Sequence, residues 1–412
     1  IGSADAGNLI SGNAGAGIDV QFEGQLSVLG NRIGSSADGM AALPNQGRGI
    51  WVRDAWNGAV IGGSDHDAWT CNRACNLIAA HPAYGIELGN AQTGPHQVLG
   101  NFIGTRVDGA AAMANSIGIY TSEWAAIGGS AAGAGNLISG NTGHGILAAD
   151  GSLVALGNRI GSNAAGTAAV ANTQDGIDAG SGRANLTIGA VGAGNLISGN
   201  GDDGVEINQI DAPVSTVQTL RANSIGTTPG GACLGNGGHG IYFAQTAFTE
   251  IGGTAAGAGN RIACNGADGF ADDGHAYANG MMGNSFYSNG GLAIDLDDDG
   301  VTANDPGDTD VWRDNFPVIA TAVQSGASAL VQGALDATAS ASFRLEFFSD
   351  SSCDASGHGE GRTYVGSIAV STDASGHAGF STALPSLSVG QKLTATSTII
   401  IGSEPFIDYN TS

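Results

Sequence analysis

The phrase GNLISGN stands at residues 7, 135 and 194, and its variants GNRIGS at 30 and 157, GNFIGT at 100 and GNRIACN at 259 fall between and after them. A glycine followed by an apolar residue comes after each: Gly17-Ile18, Gly49-Ile50, Gly85-Ile86, Gly118-Ile119, Gly145-Ile146, Gly176-Ile177, Gly204-Val205, Gly240-Ile241, Gly269-Phe270 and Gly291-Leu292. Ten units spaced 22 to 36 residues apart are too short to fold one by one, so each must bury its apolar face against its neighbours. With 71 Gly, 9 Pro and 12% charged residues in 412, the chain is not helical. Every unit also places one Asn before a short apolar strand: Asn8, Asn31, Asn76, Asn101, Asn136, Asn158, Asn195, Asn223, Asn260 and Asn284. An amide at the same corner of every unit predicts an inward ladder, each amide bonded to the units above and below.

Within a unit the text divides into three strands of three to five residues, such as GIDV, LSVLG and NRIG, which alternate with period two and end on Gly, Asn or Ser. Stacking such coils makes three parallel sheets around one apolar column, with right-handed winding from the usual crossover chirality. On these features residues 1 to 295 resemble the right-handed parallel β-helix repeat proteins of bacterial surfaces and secretions. That resemblance implies an all-β chain of about ten coils and a secreted or cell-surface location. It fixes fold better than chemistry, since the family holds polysaccharide enzymes as well as adhesin-like chains. Residues 296 to 317 read as an acidic junction. Residues 318 to 412 alternate strand-like runs with turn clusters and resemble a small immunoglobulin-like β-sandwich, with a spacer or binding role.

Formal net charge is −24, with 12 Arg and the single Lys392. Nucleic acid is thereby excluded as a partner, and no apolar run reaches the roughly 20 residues of a membrane span. A monomer is expected. The chain starts inside a repeat with no signal peptide, so residue 1 is read as a processing or cloning boundary. Cys71 with Cys75, and Cys233 with Cys264, are placed where two surface disulfides would fit, leaving Cys353 single. Ligands around Cys71 and Cys75 are too few to favour zinc.

In the pattern Gly-Ile-x-Val the Ile and Val face inward, so x faces out. Read along the stack, x is Asp19, Trp51, Glu87, Tyr120, Leu147, Asp178, Glu206, Tyr242 and Ala271. The residue before each Gly forms a second column: Ala16, Arg48, Tyr84, Ile117, His144, Asp175, Asp203, His239 and Asp268. Alternate coils carry a longer loop before their Gly-Ile step, for example residues 160 to 175, and these loops are expected to wall the Gly-Ile sheet into a groove. Rings and carboxylates on one face suit a glycan, and carboxylates about 4.8 Å apart should drive one proton affinity above the others. One rung of separation would suit a retaining glycosidase and two rungs an inverting one.

NTQDGID at 172, GDDGVEIN at 201 and GGHGIYF at 237 are similar to the Asn-Thr-Asp, Asp-Asp and Gly-His-Gly motifs of polygalacturonase-type inverting hydrolases. The resemblance implies Asp175, Asp202, Asp203 and His239 as the catalytic group. The chain departs from the pattern at Gln174, in lacking Arg-Ile-Lys after His239, and in a second Gly-His-Gly-Ile at 143 to 146.

The expected site thus has Asp175, Asp178, Asp202, Asp203, Glu206 and His239 as catalytic residues, Glu206 or Asp203 as acid and Asp178 or Asp175 as base or nucleophile. Trp51, Glu87, Tyr120, His144, Tyr242, Asp268 and Asp272 are the expected glycan contacts. Two stretches break the repeat: Asp65, His66, Asp67 and Trp69, read as a disulfide-pinned surface loop, and Asp272, Asp273, His275 and Tyr277, read as closing the acidic end. DLDDDG at 295 opens like a calcium loop, making Asp295, Asp297 and Asp299 candidate ligands of a structural Ca²⁺, though Pro306 stands where its bidentate Glu belongs. Catalysis is expected to need no cofactor. The expected function is an endo-acting glycoside hydrolase on a polysaccharide or oligosaccharide, with a non-enzymatic adhesin and a calcium-dependent polysaccharide lyase as alternatives.

Overall fold

The computed structural model describes all residues except 23, 25, 66–68, 92, 181–184, 209–217, 310–312 and 401–412. His66 and Asp67 therefore lie outside the described residues. Three parallel sheets make up the coiled part. The Gly-Ile sheet has ten strands, from Ile18–Phe22 to Ile294–Asp295; the second has nine, from Leu26–Val28 to Gly280–Met282; the third has ten, from Leu9–Ile10 to Ser285–Tyr287. Every strand pairs with the equivalent strand one coil away, so the fold is a parallel β-helix. Its axis is filled by one column of buried aliphatic side chains, with Ile50, Ile86, Ile119, Ile146, Ile177 and Ile241 all fully buried.

Gly recurs before the inward Ile because a side chain there has no room. A Cβ on Gly176 would lie 2.6 Å from the Gly204 carbonyl oxygen and 2.8 Å from the Asn200 amide nitrogen. That amide belongs to a ladder of its own. The expected ladder from Asn8 to Asn284 is complete, each Nδ2 donating to the next Oδ1, as from Asn136 to Asn158 at 2.9 Å and from Asn158 to Asn195 at 3.0 Å. A second ladder, not foreseen from the sequence, runs through Asn13, Asn45, His81, Asn115, Asn141, Asn172, Asn200, Asn236, Asn265 and Asn289. Buried amides bonded on every rung satisfy the backbone at two of the three corners.

Two expectations are corrected. Ile294 pairs with Phe270 and Asp295 with Ala271, so the Gly-Ile step of the tenth coil is Ala293-Ile294, two residues beyond Gly291-Leu292. The shift follows from Asp268, whose carboxylate takes the Leu292 N–H and so makes Leu292 the residue before the step. The long loops do not wall the Gly-Ile sheet. They fold over the third sheet and stack on one another, Val107 N–H donating to the Gly39 carbonyl and Ala164 N–H to that of Gly109, and they bury the outward Leu77, Phe102 and Leu137. Among the described residues, these loops do not cover the Gly-Ile sheet.

After the junction, strands Val318–Ser325, Ser328–Asp336 and His377–Pro385 form one antiparallel sheet, and Thr363–Ser371, Ser342–Asp350 and Lys392–Ile400 another. The two share a core of Val331, Leu335, Phe343, Leu345, Phe347 and Phe380. This region closes the end of the helix: Glu360 accepts from Asn289 N–H at 3.0 Å and Asn289 Nδ2 at 3.2 Å, standing where an eleventh amide would be, and Glu346 accepts the Gly283 N–H at 2.7 Å. Disulfides join Cys71 to Cys75 and Cys233 to Cys264, and Cys353 is an exposed thiol. Among the described residues no helix is long and apolar enough to cross a membrane.

Candidate functional site

The outward column is in register throughout. Asp19 faces Trp51, then follow Glu87, Tyr120, Leu147, Asp178, Glu206, Tyr242 and Ala271, each opposite the next on neighbouring strands, and Asp295 ends the row. Side chains as distant in the chain as Asp178 and Glu206 therefore sit one rung apart, at about 4.8 Å of backbone spacing.

Its upstream end is closed by its own charges. The guanidinium groups of Arg48 and Arg53 lie 3.9 and 3.5 Å from the centre of the Trp51 ring. Arg48 is paired with Glu87, and Arg53 with Asp19 at 2.7 Å. Trp51 and Glu87, expected to meet a glycan, are thus engaged by two arginines, because those cations find a π face and a carboxylate within reach. Tyr120 stacks on Tyr84, ring centres 4.9 Å apart.

The second column, in its acidic half, is a third ladder. Asp175 Oδ1 accepts the Asp203 N–H at 2.9 Å, Asp203 Oδ1 accepts the His239 N–H at 2.5 Å, His239 Nδ1 accepts the Asp268 N–H at 3.3 Å, and Asp268 accepts the Leu292 N–H. Each side chain holds the backbone of the next coil. Three of the four residues implied by the hydrolase motifs, Asp175, Asp203 and His239, thus have a structural task that accounts for acids and histidines recurring before Gly. Asp202, the fourth, is exposed at the corner outside the column. Burial nonetheless pushes the Asp203 carboxyl up to about 6, against the opposing bond and charge of His239.

Around this ladder the groups crowd. His144 Nδ1 is 2.9 Å from Asp175 Oδ2, and its Nε2 is 3.8 Å from Asp178 Oδ2. Burial lowers the proton affinity of His144, but the bond to Asp175 and the charges of Asp175, Asp178 and Glu206 outweigh it, so the ring titrates above its ordinary value. Burial, followed by the charges of Asp175 and Asp178, pushes the Glu206 carboxyl up to about 7 against a bond from Asn208 that pulls the other way. The Asn208 amide donates to Glu206 Oε1 at 3.1 Å and to Asp178 Oδ1 at 3.4 Å. Asn208 was missed in the sequence, although its place two residues beyond Glu206 puts it on the same face. Tyr242 stacks on His239 at 5.3 Å, and burial followed by the charges of Asp273 and Asp298 raises its hydroxyl pKa.

Two expected groups fall elsewhere. Asp272 pairs with Phe243 in register, which turns it inward; it is 3% exposed and lies 3.5 Å from Arg313. A carboxylate in an apolar position needs a nearby cation, and Arg313 supplies it at the junction. Asp295, Asp297 and Asp299 do not gather: Asp295 accepts the Gly300 N–H at 3.1 Å, and Asp297 pairs with Arg313. Among the described residues, ligand-type atoms come within 4.8 Å of one another in three sets: His144 with Asp175 and Asp178, Asp175 with Asp203 and Glu206, and His239 with Asp268 and Asp298. In the last, His239 Nδ1 lies 3.3 Å from Asp268 Oδ2 and Nε2 lies 4.0 Å from Asp298 Oδ1.

The cluster offers a carboxyl pushed up to about 7 beside carboxylates that His144 contacts, on the outward side of the Gly-Ile sheet. That pairing can donate and accept protons across a glycosidic bond. No protein-family model matches the chain, and no curated protein matches it.

Proposed function

We propose that the protein is an extracellular glycoside hydrolase whose substrate is a polysaccharide laid along the Gly-Ile sheet, with Glu206 as general acid and Asp178 as its carboxylate partner. The observation that carries this reading is the register of Asp178 opposite Glu206, on adjacent rungs, with the Glu206 carboxyl pushed up to about 7. Both belong to the outward column, on neighbouring strands of the Gly-Ile sheet. Two disulfides favour an oxidising compartment. A neutral glycan is favoured over a uronate because Arg48 and Arg53, the arginines of this face among the described residues, are already paired with carboxylates.

The test is release of reducing ends from a panel of neutral and acidic polysaccharides, with ultraviolet absorbance recorded for the unsaturated sugar a lyase would leave. Glu206→Gln and Asp178→Asn are expected to lower kcat by about 10³-fold each, within the range typical of a lost general acid or its partner, with unchanged thermal midpoints. Full activity in both variants sinks the assignment. A non-catalytic glycan-binding surface is the second reading, favoured by the long loops folding over the third sheet and not over the Gly-Ile sheet. It predicts retention of glycans with no new reducing ends.

A further inference from the structure

One amide joins the two proposed groups. Asn208 follows Glu206 by two residues on the strand Val205–Asn208, so its side chain leaves the same face, and it reaches Glu206 Oε1 at 3.1 Å and Asp178 Oδ1 at 3.4 Å from a single nitrogen. We infer that Asn208 is a positioning residue that holds Asp178 and Glu206 at one-rung separation and so commits the reaction to double displacement with retention of anomeric configuration. This inference rests on the hydrolase reading above.

The argument is one of room. Two oxygens bonded to one nitrogen at these lengths are no more than roughly 6.5 Å apart, the lower limit of the spacing that leaves space for a water between base and sugar, while retaining pairs stand at about 5–5.5 Å. Asp178 is therefore close enough to attack. In the first step an Asp178 oxygen bonds to the anomeric carbon as the glycosidic C–O bond breaks, and Glu206 gives its proton to the departing oxygen. In the second, Glu206, now a carboxylate, takes a proton from water as that water's oxygen displaces Asp178 from the anomeric carbon. The second step restores both carboxyl groups to their starting states. His144, whose proton affinity the contact with Asp175 and the charges of Asp175, Asp178 and Glu206 raise against burial, stands with Nε2 3.8 Å from the attacking carboxylate.

Asn208 also acts on the acid through its bond, which favours the charged form of Glu206. Loss of the amide frees the carboxylates and raises the acid further. In the full chain, Asn208→Ala is expected to lower kcat about 10- to 100-fold with KM within about twofold, and to move the alkaline limb of the pH profile upward by roughly half a unit or more. Asn208→Gln, which keeps the amide, should recover part of both. The anomeric proton of the first product, followed by NMR in wild type, should show the configuration of the substrate. Inversion, or an Asn208→Ala enzyme with wild-type kcat and pH profile, overturns the inference while leaving hydrolysis in place. A wild-type chain that cleaves nothing in the panel removes the hydrolase reading and this inference with it.

Discussion

The same outward column builds two different surfaces. In coils two and three it carries Trp51 and Glu87 with Arg48 and Arg53 alongside, and these two cations are paired with Glu87 and Asp19. In coils six and seven it carries Asp178 and Glu206, and the residues alongside are Asp175 and Asp203. The rung spacing is the same in both. What differs is the sign of the neighbouring column, so that one end becomes a closed brace while the other keeps a proton that acid chemistry can use. The contrast can be broken by moving a cation. Leu147 is the half-buried outward neighbour of Asp178, and Leu147→Arg would set a guanidinium one rung from that carboxylate. Pairing with Asp178 should then lower kcat by about 100-fold, nearly the cost of removing a catalytic partner, with an equal or higher thermal midpoint. Full activity in this variant would mean that the sign of the neighbours is not what separates the two ends.

Much of this was legible because the repeat itself is a ruler. Gly-Ile-x-Val carries its own facing pattern, so the whole outward column from Asp19 to Ala271 could be read off and lies in register. The first amide ladder was visible for the same reason. The second was not: its members stand at corners of varying length, and His81 interrupts the run of amides. Strands of two residues, such as Leu77–Ile78, alternate too briefly to reveal that Leu77 faces out, and so the loops that cover it were assigned to the wrong sheet. The acids before Gly looked catalytic because a carboxylate that accepts a backbone N–H is spelled like one that works on substrate. Only the direction of the oxygen separates the two.

The two ends should also answer pH in opposite senses. His81 sits in the second ladder with Nδ1 2.9 Å from Asn115 Oδ1, and burial holds its pKa at about 4. The unfolded ring binds a proton below about 6.5 and the folded ring does not, so this end loses stability as pH falls from about 6.5 toward 4. Asp203 is the reverse case. Its folded pKa of about 6 lies above the unfolded carboxyl's value, so the stability it contributes is present below about pH 4 and is lost as pH rises through 6. His81→Asn should stabilise the chain by on the order of 2 kcal/mol at pH 5 and by little at pH 8, read from urea midpoints. Asp203→Asn should remove a loss of similar order between pH 4 and 7. Equal pH slopes in the two variants would place both groups in the same electrostatic setting.

The smallest effect belongs to the closed brace. Arg48 and Glu87 are partly exposed, their side chains retaining 31% and 15% of their accessible surface, so solvent screens the pair. Its worth is bounded by that of exposed ion pairs and of one cation–π contact, together below about 1–2 kcal/mol before the side-chain entropy of Arg is set against it. Arg48→Gln should therefore lower the urea midpoint only slightly, equivalent to less than about 1 kcal/mol, and leave kcat as in wild type. The loss should shrink further in high salt, because a screened pair has less to lose. A larger, salt-insensitive loss would show that Trp51 is held by packing of the arginine stem and not by its charge. In that case coils two and three would be braced by shape, and the difference between the two ends would no longer be one of charge alone.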